Sequence, residues 1–223
     1  MKHSDSYGGV LSSMIKTTWG LIRGMIALQR IPRPRITIFG GSYGEKDSAY
    51  QQQASQLAVL LARHGVSVLT GGGPGIMQAA NCGFASVPEV ERKHAQTLGI
   101  GVTGIDETFH SPCASVIFMP NFFSRKLLMM HYSDAFAIFP GGIGTADELF
   151  DLLNLRKHDV VKQAPIFLVG SDYWKLITTW YMEVALPHEF IKPEYAGLFR
   201  VEDDLNRLCE VLCQQVAHIH ETQ

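Results

Sequence analysis

Beyond residue 34 the chain alternates two hydrophobic patterns. Short runs rich in β-branched, aliphatic and aromatic residues occupy Ile36–Phe39, Val66–Leu69, Leu98–Val102, Ser115–Phe118, Ala135–Phe139 and Pro165–Val169, with a weaker run at Leu198–Val201. They are apolar on both faces, the pattern of strands that helices cover on both sides. Helical spacing fills the gaps: Ser48–His64 with Leu57, Leu60 and Leu61 inward, then Ile76–Ala85, Asn121–Ser133, Thr145–Lys157, Tyr173–Leu186, and Asp203 to about His218. The order predicts an α/β fold built on a mostly parallel sheet of about seven strands. Ahead of it, Val10–Leu28 is apolar but interrupted by Lys16 and Arg23, so it predicts an amphipathic helix and no membrane span. Docking on the domain or on a partner subunit is the expected use of that helix, and membrane-surface association the alternative. Ile31-Pro-Arg-Pro34 then acts as a stiff linker, dividing the chain into an N-terminal segment, 1–34, and a nucleotide-binding domain, 35–223.

Such an order corresponds to a Rossmann-like, doubly wound domain with helices on both faces, in which ligands sit at the carboxyl ends of the strands. Composition narrows the field without redirecting it. The 223 residues are 46% apolar and 18% charged, enough for a sizeable core. Lys and Arg number 19 against 21 Asp and Glu, and no dense basic run tracks a phosphate backbone, so nucleic acid is not the expected partner. The four cysteines, Cys82, Cys113, Cys209 and Cys213, form no CxxC pair. They predict reduced, buried thiols in a cytoplasmic protein.

Three loops that follow strands are rich in glycine and run into helices: Phe39-Gly-Gly-Ser-Tyr-Gly44, Thr70-Gly-Gly-Gly-Pro-Gly-Ile-Met77, and Pro140-Gly-Gly-Ile-Gly-Thr-Ala-Asp-Glu148. Glycine admits close backbone approach, and the free N–H groups of a helix start bind anionic oxygen, so phosphate is the natural guest. The usual nucleotide signatures fail. A GxGxxG motif from Gly71 would need glycine where Ile76 stands, and no GxxxxGK[ST] occurs. There is also no HExxH and no sequence cluster of His and Cys for zinc. Two plainer accounts compete. Thr145-x-x-Glu148 fits a capping box, and Arg125 and Lys126, amid Phe122, Phe123, Leu127 and Leu128, could be a solvated face or an anion clamp entering the pocket.

Phe39-Gly-Gly-Ser42, Gly71 to Asn81, Phe122-Phe-Ser-Arg-Lys126 and Pro140 to Phe150 together resemble the LONELY GUY family, whose members carry PGGxGTxxE with an upstream Arg-Lys pair and were long labelled lysine decarboxylases. The resemblance covers roughly Arg35 to Val211. It implies hydrolysis of the N-glycosidic bond of a nucleoside 5′-monophosphate, of AMP or cytokinin type, to free base and ribose 5-phosphate, with no cofactor or metal and as a homodimer or higher homo-oligomer. Carried over, the family's catalytic pair falls on Arg125 and Glu148. Its substrate-binding positions fall on Lys126, on Gly141, Gly142, Ile143, Gly144 and Thr145, on Glu107, and on Asn154, where the family often has threonine. Gly40, Ser42, Gly72 and Gly73 of the other two loops join them as phosphate-side contacts. A carboxylate beside the ribose stabilises oxocarbenium character and polarises water. Placed in a first helical turn, Glu148 would be kept ionised by the dipole. A non-catalytic nucleotide- or cofactor-binding module on the same scaffold is the alternative reading.

Overall fold

The computed structural model describes residues 7–43, 48–104, 112–161 and 164–221. Seven parallel strands, β1 (Arg35–Phe39), β2 (Ser67–Thr70), β3 (Thr97–Val102), β4 (Ser115–Met119), β5 (Ala135–Ile138), β6 (Ile166–Leu168) and β7 (Arg200–Val201), form one sheet in the order β4-β3-β2-β1-β5-β6-β7. The helices are α1 (Tyr7–Gln29), α2 (Ala49–Arg63), α3 (Ile76–Ser86), α4 (Phe122–Tyr132), α5 (Ile143–Lys157), α6 (Ser171–Thr179) and α7 (Leu205–Glu221). Each strand and helix expected from the hydrophobic pattern is present. The predicted Tyr173–Leu186 helix differs in kind: after Thr179 the turns widen over Trp180–Ala185, with Leu186 N–H donating to the Tyr181 carbonyl.

Strand side chains alternate between two cores. On one face Ile36, Ile38, Val68 and Phe139 pack with Leu57 and Leu61 of α2, Phe84 of α3 and Leu208 and Leu212 of α7. On the other, Phe39, Leu69, Phe136 and Ile138 pack with Met129 of α4, Leu149 and Leu152 of α5 and Trp174 of α6. Burial on both faces explains why the strands read as unbroken apolar runs. The strand order reverses between β1 and β5, whose register pairs Ile36 with Ala135 and Phe39 with Ile138. That switch point, where open α/β sheets bind their ligands, lies between the loops after β1 and β5.

The amphipathic N-terminal helix docks by a narrow seam. Only Gly24 and Leu28 of α1 are buried. Side chains at Gly20 and Gly24 would run into Pro120, Met119 and Leu128, so these glycines let the helix lie close on β4 and α4. Among the described residues no helix is long and apolar enough to cross a membrane.

The cysteine expectation needs correction. Cys82 on α3 and Cys113, just ahead of β4, form a disulfide, their α-carbons 4.9 Å apart. They are 31 residues apart in sequence, and the pairing follows because α3 and the approach to β4 meet beside β3. Only Cys209 and Cys213 remain as thiols among the described residues. The cysteines therefore no longer argue for a reducing compartment.

Candidate active site

The three glycine loops meet at the carboxyl edge of the sheet and are stitched together by backbone. Gly41 N–H donates to the Pro140 carbonyl at 3.0 Å, and the Gly41 carbonyl accepts from Ile76 N–H at 3.1 Å. The first loop thus bonds to both others. A side chain on Gly40 would strike Ile76, and one on Gly141 would strike Thr145 Oγ1 and Gly41 N. Gly72 has φ +72° and its N–H donates to Thr70 Oγ1 at 3.1 Å. Gly73 is buried, while Ser42 is half-buried. Gly40 and Gly72 therefore have packing reasons to be glycine, and the Gly72 donor is committed within the fold.

A buried amide holds the second loop in shape. Asn81 Nδ2 donates to Thr70 Oγ1 at 3.0 Å, and Asn81 Oδ1 accepts from Thr97 Oγ1 at 2.9 Å. The hub ties α3 to the ends of β2 and β3. In the sequence Asn81 stands out only as the end of the glycine-rich stretch from Gly71. A threonine closing a strand with a buried Asn on the next helix was the signal available.

The loop after β5 keeps an open helix start. The N-cap of α5 is Gly142, without a side-chain cap, so the N–H groups of Ile143, Gly144 and Thr145 head the helix. Ile143 is 90% exposed, and nothing lies within 4 Å of a side chain built on Gly142 or Gly144. This helix start is open to an anion. The capping-box reading of Thr145-x-x-Glu148 is overturned, because Thr145 is the third residue of the helix and caps nothing. Glu148 lies in the second turn, on the buried stripe with Thr145, Leu149 and Leu152.

There it meets Arg125. Asn121 caps α4, accepting from Ser124 N–H at 2.9 Å, and the first turn of that helix carries Arg125 inward. Arg125 Nε donates to the Ile100 carbonyl at 2.9 Å, and Nη2 stands 3.2 Å from Glu148 Oε1, each side chain only 9% exposed. The guanidinium also lies over the Phe122 ring at 5.9 Å. A side chain at Gly71 would collide with Arg125 Nη2, so the second loop leaves room for this pair. The solvated-face account of Arg125 is thereby excluded. Burial pushes the Glu148 carboxyl up to about 7 against the pull of Arg125, with Asp147 adding to the rise and Lys126 opposing it. The dipole does not decide its charge, contrary to the first-turn expectation; desolvation does.

Lys126 turns instead to the outer side of α5, bonding Asp147 at 2.9 Å and pairing with Asp151. Burial works against its charge, but the two carboxylates outweigh burial and raise its pKa. Asn154 is six residues past Glu148, about 240° round the helix. It lines a separate 160 Å³ cavity with Phe150, Trp180, Tyr181 and Phe190. The fold of this chain thus does not bring Asn154 to the Arg125–Glu148 pair. Glu107 lies outside the described residues.

The family model described as "Possible lysine decarboxylase" matches residues 77–212. The chain is 28% identical over 171 residues to a cytokinin riboside 5′-monophosphate phosphoribohydrolase of Rhodococcoides fascians, covering 75% of this chain and 84% of that protein. It is 30% identical over 178 residues to the Arabidopsis thaliana phosphoribohydrolase LOG5, covering 74% and 71%. A pyrimidine/purine nucleotide 5′-monophosphate nucleosidase of Escherichia coli K12 is 26% identical over 169 residues, which span 71% of this chain but 37% of that longer protein. In fold, the chain is similar to the molybdenum cofactor carrier protein of Chlamydomonas reinhardtii, with a TM-score of 0.57, 20% identity, and coverage of 83% and 99%.

Proposed function

Because the chain belongs to the LONELY GUY family, we propose that it hydrolyses the N-glycosidic bond of nucleoside 5′-monophosphates, releasing free base and ribose 5-phosphate. The observation that carries this reading is the buried Arg125–Glu148 pair, 3.2 Å apart where three glycine loops converge. A binding module has no need of a desolvated carboxylate poised between charge states; a glycosyl hydrolase does.

The chemistry follows from the geometry. The open N-terminus of α5 takes the 5′-phosphate on the amides of Ile143, Gly144 and Thr145. That places the ribose near the Arg125–Glu148 pair. As the bond to the base breaks, positive charge grows on the sugar ring, and the ionised Glu148 carboxylate stabilises it and orients the attacking water. Arg125 favours that ionised state and holds ribose or phosphate oxygens in register. Lys126, paired with Asp147 and Asp151, reaches the nucleotide only by giving up one of these contacts.

The family model's older description fits poorly. A lysine that forms Schiff bases needs a depressed pKa, and Lys126 has a raised one. The relatives' names support two substrate classes, cytokinin riboside monophosphates and unmodified purine or pyrimidine monophosphates. The test is a panel containing AMP, prenylated AMP and pyrimidine monophosphates, with free base and ribose 5-phosphate followed by chromatography. Equimolar base and sugar phosphate from at least one member is the expected result; no release from any, with nucleotide still bound, would leave a binding module.

The same reading includes a homodimer. Its support is the exposed apolar surface of α1, where Val10, Met14, Ile15 and Trp19 are each more than half exposed.

A further inference from the structure

The sequence offers no recognisable zinc motif, yet the fold assembles a compact set of soft donors far from the glycine loops. Cys209 and Cys213 are one turn apart on α7, and their sulfurs are 3.9 Å apart. His64, which ends α2, brings Nδ1 to 3.7 Å from Cys209 Sγ, across 145 residues of sequence. All three donor atoms lie within 4.8 Å of one another. His64 lies three residues before β2, so the cluster belongs to the amino edge of the sheet, opposite the Arg125–Glu148 pair.

We propose that His64, Cys209 and Cys213 bind a thiophilic divalent cation, Zn²⁺, as a clamp between α2 and α7. Two Zn–S bonds of ~2.3 Å at a tetrahedral angle separate their sulfurs by about 3.8 Å, and a Zn–N bond of ~2.0–2.1 Å sets the nitrogen about 3.6 Å from each sulfur. The observed 3.9 and 3.7 Å are close to these spacings, and the remaining pair, His64 and Cys213, within 4.8 Å, closes as the imidazole turns from the Leu60 carbonyl onto the metal. Two thiolates and an imidazole are a soft donor set, which selects zinc over calcium or magnesium. Cys209 is buried, Cys213 half-buried and His64 exposed, so a cation can enter from the surface with water as fourth ligand.

Binding is balanced by proton release. Each thiol gives its proton to solvent as its sulfur bonds the metal. In the metal-free form Nδ1 lies 2.9 Å from the Leu60 carbonyl, to which it donates when protonated. On binding, the Nδ1 lone pair goes to zinc and the ring N–H moves to Nε2. The buried Cys209 anchors the site to the core beside Leu208 and Leu212, so metal binding is coupled to the docking of α7.

Cobalt is the direct probe. The full chain, stripped with a chelator, is titrated with Co²⁺ and then Zn²⁺. One equivalent of Co²⁺ is expected to give a thiolate-to-cobalt charge-transfer band and tetrahedral visible bands, which Zn²⁺ bleaches. Cys213→Ser should remove most of the charge transfer, and His64→Ala should weaken affinity by at least ~10-fold. Both positions are partly exposed, so circular dichroism should show the fold retained. Zinc should also raise the wild-type melting temperature with the logarithm of its concentration. Absence of the band would overturn the proposal. So would a band unchanged in both variants, since it would then arise from ligands outside this cluster.

Discussion

A carboxyl buried beside a guanidinium is poised between two states, and Glu148 shows what decides between them. Desolvation favours the neutral acid, Arg125 favours the anion, and the balance leaves the group titrating near 7. If the anion stabilises the developing charge on the sugar, activity should fall as pH drops through about 7, the value at which the carboxyl protonates. A rate–pH profile checks this, and a loss on the alkaline side only would assign Glu148 the role of proton donor instead. The same shift bears on stability. The folded-state pKa lies above the ordinary 4.5, so the contribution of Glu148 to stability is complete below about 4.5 and lost as pH rises through about 7. The loss is on the order of 2–4 kcal/mol. Glu148→Gln removes it, and denaturant unfolding at pH 8 should find the variant at least as stable as the wild type. A capping role would have predicted destabilisation by ~0.5–2 kcal/mol.

At the scale of elements, the site depends on how closely three loops approach one another. Gly71 faces Arg125 Nη2 so closely that even a methyl group has no room. Gly71→Ala should displace the guanidinium, abolish turnover and destabilise the fold by ~1–3 kcal/mol, measured by activity and thermal unfolding together. Activity near wild type would show that the pair can shift without consequence. The strands were legible as short runs apolar on both faces, because Ile36 and Ile38 face one core and Phe39 the other, and the helices from their one-sided spacing. The Arg125 and Glu148 positions were legible from motif spacing, but their charge states were not. Those depend on where α5 begins, and a start at Ile143 moves Glu148 out of the first turn and into a desolvated contact. The Asn81 hub, the Cys82–Cys113 bond and the His64–Cys209–Cys213 cluster were hidden for one shared reason. Each joins residues from different elements, and only the order of strands brings them together.

Across the whole molecule, the strand order puts the three glycine loops and the Arg125–Glu148 pair at one edge of the sheet and His64 and the two thiols at the opposite edge. The outer face of α1 remains apolar, with Ile15 at 62% and Trp19 at 62% exposure. If that face joins two subunits, Ile15→Asp combined with Trp19→Asp should lower the mass seen by light scattering towards one chain; an unchanged mass would place the contact elsewhere. The proposed role of Glu148 is in the chemistry and not in holding the nucleotide. The most direct measurement compares wild type and Glu148→Gln for release of base from a nucleoside 5′-monophosphate, with ribose 5-phosphate binding measured calorimetrically in both. Binding retained within a few-fold, with base release reduced by at least ~100-fold, is the expected result. Base release at the wild-type rate in the variant would contradict the account.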